Sequence, residues 1–393
     1  METILAITAM NFRSIGSRIG TSLVIVVGIA FVVGVLIGML SMSRGFERTL
    51  AGTGKDDRAL LLSAGVLAEL SSGIGPDTLP LVQSLPGIRK DADGQPLVSS
   101  EVMVITELKK GEGPRPASVN VALRGVEPAG LAMRPEVKLV EGRLFRSGVN
   151  ELIAGRQATQ QFEGVAVGQQ LHFRGSTWTV VGVFDTGGDA HESELWTDAN
   201  TARNAFGRTG ASSVLVQLES AESLKTLKDA ITSDPRFRVD VQSERAYFTS
   251  QSANVSRNIG ILTSVVTVLM AFGAVFGALN TMYSAVASRR IEIATLRAIG
   301  FSGLPVVVSV LAEAVALAVA GGALGAVAAY LLVNGMTVST LGQGFTQVAF
   351  SFAVTPDLLV RGLVWSVAIG FIGGLFPAVR AARLPIVVAL RAA

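Results

Sequence analysis

The sequence predicts a membrane α-helical protein with four transmembrane helices. One precedes and three follow an inserted α+β domain that lies outside the cytoplasm. Three observations predict this. Charge is absent between Arg18 and Arg44, between Arg257 and Arg289, and between Arg361 and Arg380, and the run from Ile299 to Asp357 is broken only by Glu313. A run of about 20 apolar residues is long enough to cross a bilayer as a helix. The runs are also unevenly placed, one near the N-terminus and three close together near the C-terminus, with ordinary soluble-looking sequence from Arg44 to Arg257. Finally, charged residues make up 16% of the chain, against about 25% in an average globular protein, and mean hydropathy is +0.50.

The first run, Ile19 to Met42, is longer than the apolar core of a secretory signal, and Met39-Leu40-Ser41-Met42-Ser43 is a poor cleavage site, so it reads as an uncleaved span. Basic residues in short loops mark the cytoplasmic side. Arg13 and Arg18 precede span 1, Arg289, Arg290 and Arg297 separate spans 2 and 3, and Arg380, Arg383 and Arg391 follow span 4. The connection between spans 3 and 4, Val333 to Pro356, has no charge. Both termini and the loop between spans 2 and 3 are therefore expected in the cytoplasm, and the inserted domain outside, in the periplasm of a Gram-negative cell. The chain divides into a cytoplasmic segment 1–18, span 1 at 19–43, the outer domain at 44–256, span 2 with its stalk extension at 257–288, a loop helix at 289–303, span 3 at 304–332, an outer turn at 333–357, span 4 at 358–379 and a tail at 380–393.

Within the outer domain, Glu101 to Leu108 and Ser118 to Val126 alternate as strands do. Gln170 to Arg174 and Thr177 to Asp185 flank Gly175-Ser176, a two-residue hairpin signal with Gly first. Asn200 to Arg208 reads as helix, and Ser213 to Leu218, Ala221 to Ser233 and Phe237 to Val241 read as strand, helix and strand. Loop residues cluster at Ser72 to Asp77, Pro86 to Pro96 and Gly111 to Pro116. No breaker follows Gln242, so Ser243 is expected to cap a helix that runs unbroken into span 2 as a rigid stalk.

Several function classes are excluded or disfavoured. The net charge is +3 and the basic residues form no run interleaved with aromatics, which sets nucleic acid aside. Cys is absent, so no disulfide, thiolate-zinc or thiol chemistry is expected. The two His residues, His172 in a strand pattern and His191 in a Gly-rich loop, have no sequence neighbours that would make a metal site. No G-x-S-x-G, H-E-x-x-H or P-loop motif occurs. The chain is expected to be neither an enzyme nor the binder of a cofactor or metal.

Inside the spans, each run carries a small-xxx-small pair: Gly34 and Gly38, Gly273 and Gly277, Gly321 and Gly325, Gly370 and Gly374. Such spacing allows close helix approach. Glu313 falls roughly 12 Å into span 3 at 1.5 Å per residue, and Asn280 falls at a similar depth in span 2. A buried ionisable group is costly in a membrane, and the two side chains are expected to share a polar pocket. The segment from Ser288 to Ser302 mixes Ile291, Ala294, Leu296, Ala298 and Ile299 with Arg290, Glu292 and Arg297, and reads as a short amphipathic helix stopped at Gly300.

The run from Asn280 to Ser302 strongly resembles the span 2 exit and coupling helix of FtsX/MacB-type ABC transporter permeases. Leu311-Ala-Glu-Ala with Gly321 to Gly325 is similar to that family's span 3, and Gly370 to Arg383 with Ala389-Leu-Arg391 to its span 4 exit. Glu141-Gly-Arg143, Asn150 to Gly155 and Trp178 to Val183 resemble, more loosely, its periplasmic core domain. The resemblance implies a permease in the bacterial inner membrane that pairs with a second copy or a paralogue. It implies two copies of a separate cytoplasmic ATPase subunit, which would hold the ATP and Mg, and a periplasmic adaptor with an outer-membrane channel. Arg289, Arg290, Glu292, Arg297 and Gly300 would form the ATPase contact, and Leu5 to Arg18 an amphipathic helix beside it. Arg383-Leu-Pro385 lacks the acidic residue usual before that Pro. Export, extraction of a lipoprotein or lipid, and mechanical activation of a periplasmic cell-wall hydrolase all fit the resemblance.

Overall fold

The computed structural model describes residues 19–110, 117–341 and 347–383. The expected amphipathic segment Leu5–Arg18, the loop Gly111–Pro116 and the tail with Pro385 and Arg391 lie outside the described residues. The chain divides into a helical unit, residues 1–44, 257–336 and 352–393, and a sheet unit, residues 45–256 and 337–351.

Among the described residues, four helices are long and apolar enough to cross a membrane. They are α1 (Ile19–Thr53), α7 (Glu244–Ser288), α9 (Gly303–Val333) and α10 (Pro356–Ala382). The first precedes the sheet in the chain and the other three follow it. Small residues decide how the helical unit packs. A Cβ on Gly321 or Gly325 would meet the backbone oxygen of Val26 at 2.7 Å or of Ala30 at 2.3 Å, so α1 lies directly on α9. On Gly370 and Gly374 it would meet the Cβ atoms of Ala318 and Ala314, which seats α10 on α9. Gly34 faces the Gly325 carbonyl more loosely, at 3.7 Å.

Gly38, Gly273 and Gly277 depart from the expected packing role, since among the described residues nothing lies within 4 Å of their Cβ positions. On α7 the buried face carries Ala278, Met282 and Val286, and Gly273 and Gly277 fall on the exposed side. The contact of α7 with α10 instead uses Gly373, against Ala278.

In the sheet unit the shorter elements are β1 (Arg58–Ser63), α2 (Thr78–Gln83), β2 (Val98–Lys110), β3 (Ala117–Val126), α3 (Pro128–Ala132), β4 (Lys138–Gly142), β5 (Glu151–Gly155), α4 (Arg156–Gln161), β6 (Gln170–Phe173), β7 (Ser176–Asp185), β8 (Leu195–Asp198), α5 (Ala199–Phe206), β9 (Ser213–Gln217), α6 (Ser223–Ser233) and β10 (Val239–Ser243). Their strands form one ten-stranded sheet in the order β10-β1-β9-β2-β3-β8-β5-β7-β4, with β6 on β7. Strand β2 is shared: Val98–Glu101 pair with β9, and Val102–Lys110 pair with β3. Each side has its own core, one around Leu61, Val214, Val216 and Leu227, the other around Val104, Leu123, Trp178 and Val180.

Local signals explain several boundaries. The Asp198 carboxylate accepts from the Thr201 N–H at 2.9 Å and starts α5, and Gly207 ends it in the left-handed region. Ser243 accepts from the Ala246 N–H at 3.1 Å and starts the 45-residue α7. The β6–β7 turn is shifted by one residue from the sequence expectation. Phe173 pairs with Ser176, so Arg174 and Gly175 are the turn, with φ of 54° and 70°. Two positive φ values match the turn geometry that follows strand twist.

The connection expected as a plain turn between α9 and α10 is a hairpin, β11 (Thr337–Leu341) and β12 (Gln347–Ser351). It is uncharged because part of it is core: Ala349 and Phe350 are buried, and Phe350 meets Phe46 edge-on at 5.4 Å between centroids.

Candidate functional site

Two places bring functional side chains together, one in each unit. In the helical unit, α7 ends at Ser288 and α8 (Arg290–Ala298) begins after the single residue Arg289. Ile293 and Ala294 are buried against the neighbouring helices, while Arg290, Ile291, Glu292 and Thr295 face outward. Gly300, at φ +104°, closes α8: its N–H donates to the Arg297 carbonyl and that of Phe301 to Leu296. These are the paired bonds of a left-handed helix stop. The outcome is a short, rigidly ended helix presenting charged and apolar groups on one side.

Arg289 is placed differently from the other basic residues of this segment. It is 6% exposed and donates from Nη1 to Glu313 Oε2 of α9 at 3.1 Å. The expected pairing of Asn280 with Glu313 is corrected. Asn280 lies on the exposed side of α7, opposite Ala278 and Met282, and the guanidinium of Arg289 meets the carboxylate instead. The reason is reach: Arg289 arrives from the helix end with a long side chain, whereas two positions along a helix turn a residue by about 200°.

In the sheet unit a buried ionic cluster lies where β2 passes from β9 to β3. Glu101 is the last β2 residue paired with β9. Arg124 on β3 makes bidentate contact with Glu194 at 2.8 and 3.0 Å, and donates to Glu69 at 2.8 and 3.0 Å and to Glu101 at 2.8 Å. All five guanidinium donors are thus engaged. Arg134 grips Glu101 from the other side and approaches Glu244, the first residue of α7, at 3.7 Å. Glu244 accepts from Arg58 Nε at 2.7 Å, and Arg58 also donates to Glu136 at 2.5 Å. Burial would raise the carboxyl groups of Glu101 and Glu194, but the adjacent guanidiniums hold both below the ordinary range.

His191 is completely buried and stands edge-on to Trp196 and to Phe248 of α7. Burial alone would lower its pKa, but the Glu194 carboxylate, 3.3 Å from Nδ1, leaves it raised. His172, by contrast, is exposed beside Thr177.

The turn that carries His191, Ala190–Ser193, is also a meeting point. The Ala190 N–H donates to Thr53 at the end of α1 at 2.9 Å, and the Ala349 N–H of β12 donates to Ser193 Oγ at 2.8 Å. Two further bonds fasten the start of α7: the Glu69 N–H to the Tyr247 hydroxyl, and the Gln251 amide to the Leu67 carbonyl at 2.5 Å.

None of the cluster was singled out from the sequence. The available signal was a lone charge inside an otherwise buried strand, as with Arg124 after Val121, Ala122 and Leu123.

The MacB-like periplasmic core domain model matches residues 21–234, more than half of the 393 residues, and the FtsX-like permease C-terminal model matches residues 264–386. The chain belongs to the FtsX/MacB-type ABC transporter permeases. It is 24% identical to the macrolide export ATP-binding/permease protein MacB of Bdellovibrio bacteriovorus, over 95% of this chain and 59% of that protein. It is 25% identical to the uncharacterized ABC transporter permease YknZ of Bacillus subtilis, over 65% of this chain and 66% of that one. It therefore spans less than two thirds of either relative. The solved extracellular domain of YknZ from Gram-positive bacteria aligns with 47% of this chain and 100% of its own length, at 17% identity and a TM-score of 0.34. As an FtsX/MacB-type permease, the chain is a membrane protein with an extracytoplasmic domain. The ionic cluster, apart from Glu244, falls in the core-domain match, and α8 with Glu313 falls in the permease match.

Proposed function

We propose that the chain works as the permease subunit of an ABC transporter in a bacterial inner membrane, converting ATP hydrolysis on a separate cytoplasmic ATPase into movement of its outer domain. The observation that carries this reading is α8. It presents Arg290, Ile291 and Glu292 outward at the foot of α7, a helix whose residues 244–256 belong to the sheet unit and 257–288 to the helical unit. One unbroken helix thus links the docking helix to the sheet. The basic residues at Arg289, Arg290, Arg297, Arg380 and Arg383 support cytoplasmic placement of α8 and of both termini.

The permease acts as a pair, with two ATPase copies, and drives export or extraction of a substrate held outside the membrane, assisted by an adaptor and an outer-membrane channel. Arg290, Glu292, Arg297 and the Gly300 stop form the ATPase contact.

Purification of the tagged chain in mild detergent, with ATP-trapped samples included, should retain an ABC ATPase. Glu292→Ala and Arg297→Glu should lower permease-dependent stimulation of its ATP hydrolysis by roughly tenfold, about 1.4 kcal/mol of coupling, with folding intact. An ATPase that never co-purifies, or full stimulation in both variants, would sink the reading. A co-purified cell-wall hydrolase in place of an adaptor would redirect it to mechanical activation.

A further inference from the structure

We propose that Arg289 and Glu313 form a latch that fixes the elbow between α7 and α8 onto α9, making both of them positioning residues for the ATPase-facing helix. The geometry carries this independently of the ABC reading, which supplies only its functional consequence.

Arg289 is the one residue between two helices, with φ −105° and ψ 9°, so whatever holds Arg289 sets the angle at which α8 leaves α7. Its N–H donates to the Val286 carbonyl and its carbonyl accepts from Ile293, so the backbone on both sides is tied to this residue. Its guanidinium turns inward, meeting Glu313 at 3.1 Å while its Nε lies 4.0 Å from the Glu292 carboxylate. The pair shares a small, mostly apolar cavity with Met282, Val286, Glu292, Ile293, Val306 and Val310. Glu313 is 5% exposed.

Those apolar walls define the chemistry. Two opposite charges in such surroundings attract strongly, and removal of either one takes from the other a close partner that poorly solvating surroundings do not replace. A surface pair would hold little, because water competes for both partners. A buried pair bridging two helices at a chain elbow therefore holds α8 in one pose. The outer face of α8 can then push or be pushed without folding back on itself. The ionisable residue deep in α9 thereby has a role that needs no substrate path through the membrane.

Limited trypsin digestion of the full chain in detergent tests the latch. Arg290 and Arg297 report on α8, and Arg236, an exposed site in the sheet unit, is the internal reference. Glu313→Gln and Arg289→Gln should each raise cleavage at Arg290 and Arg297 at least about tenfold while leaving Arg236 unchanged, because proteolysis follows the population of the opened segment. Arg289→Lys, and the exchange of Arg289→Glu with Glu313→Arg, should restore most of the protection. Equal cleavage of α8 in the single variants and the unmodified chain would overturn the latch. So would a parallel rise at Arg236, which signals general unfolding, or failure of both restoring variants. Loss of protection in the single variants with no ATPase ever co-purifying would leave the latch standing and remove the transporter mechanism.

Discussion

Arg124 is satisfied by three carboxylates at once, and that commitment sets how the sheet unit responds to pH. Four buried carboxylates, Glu69, Glu101, Glu194 and Glu244, face three buried guanidiniums, Arg58, Arg124 and Arg134. His191 supplies a further positive charge when protonated. The depressed Glu101 and Glu194 stabilise the fold above their ordinary value of 4.5, and that contribution is lost as pH falls through their folded values. The raised His191 works in the opposite sense. Its contribution is complete below 6.5 and is lost as pH rises through its folded value. Asp189, raised by burial despite His191 nearby, blunts the acid limb. Arg124 opposes protonation of His191 and is outweighed by Glu194 and Asp189. The full chain in detergent should therefore melt at its highest temperature between about pH 4.5 and 6.5. His191→Gln should abolish the decline above that window and keep the decline below it. An unchanged alkaline limb in the variant would assign that limb to another group.

Among the elements, what was legible in the sequence was what local pattern encodes. Ser243 followed by a breaker-free run became the capped start of α7, and Gly300 became the stop of α8. Asp198 and Gly207 bracket a helix expected at Asn200 to Arg208. What was not legible depends on partners distant in the chain. The hairpin at 337–351 was hidden by the absence of charge, which in a membrane protein reads as membrane proximity and here partly reflects burial of Ala349 and Phe350. The β6–β7 turn slipped by one residue because Arg174, not Ser176, adopts the positive φ beside Gly175. The glycine pairs look alike in sequence and differ in surroundings. Gly325 is pressed on the Ala30 backbone, whereas Gly277 faces open space within the protomer. Gly325→Leu should thus cost several kcal/mol, about the 1–3 of an overpacked core or more, and lower the melting temperature and yield. Gly277→Leu should leave protomer stability within about 0.5 kcal/mol, as a surface change does. Comparable losses in both variants would mean that Gly277 packs against a second chain.

On the scale of the whole molecule, three chain segments that lead into the four long helices converge on one turn of the sheet unit. The end of α1 reaches Ala190 through Thr53, the first turns of α7 reach His191 through Phe248, and the hairpin joining α9 to α10 reaches Ser193 through Ala349. The same turn touches the ionic cluster through His191 and Glu194. Ala190–Ser193 is thus the part of the sheet unit that all three segments touch, and it is joined to the ionic cluster. Under the proposed function, transmission along α7 would need a continuous helix, and its 45 residues carry no break. Ser264→Pro tests this directly. Proline at that position removes the N–H that bonds the Gly260 carbonyl, and in a helix interior costs about 3 kcal/mol or more. It lies far along the chain from both the Arg289 elbow and Glu244. If the chain works with an ATPase as proposed, ATP should change hydrogen exchange at residues 190–196 of that complex. In the proline variant, the ATPase should remain bound and active while that change disappears. If exchange at the turn still responds to ATP with α7 broken, the signal travels by α1 or by the hairpin, and α7 is a tether, not the transmitting rod.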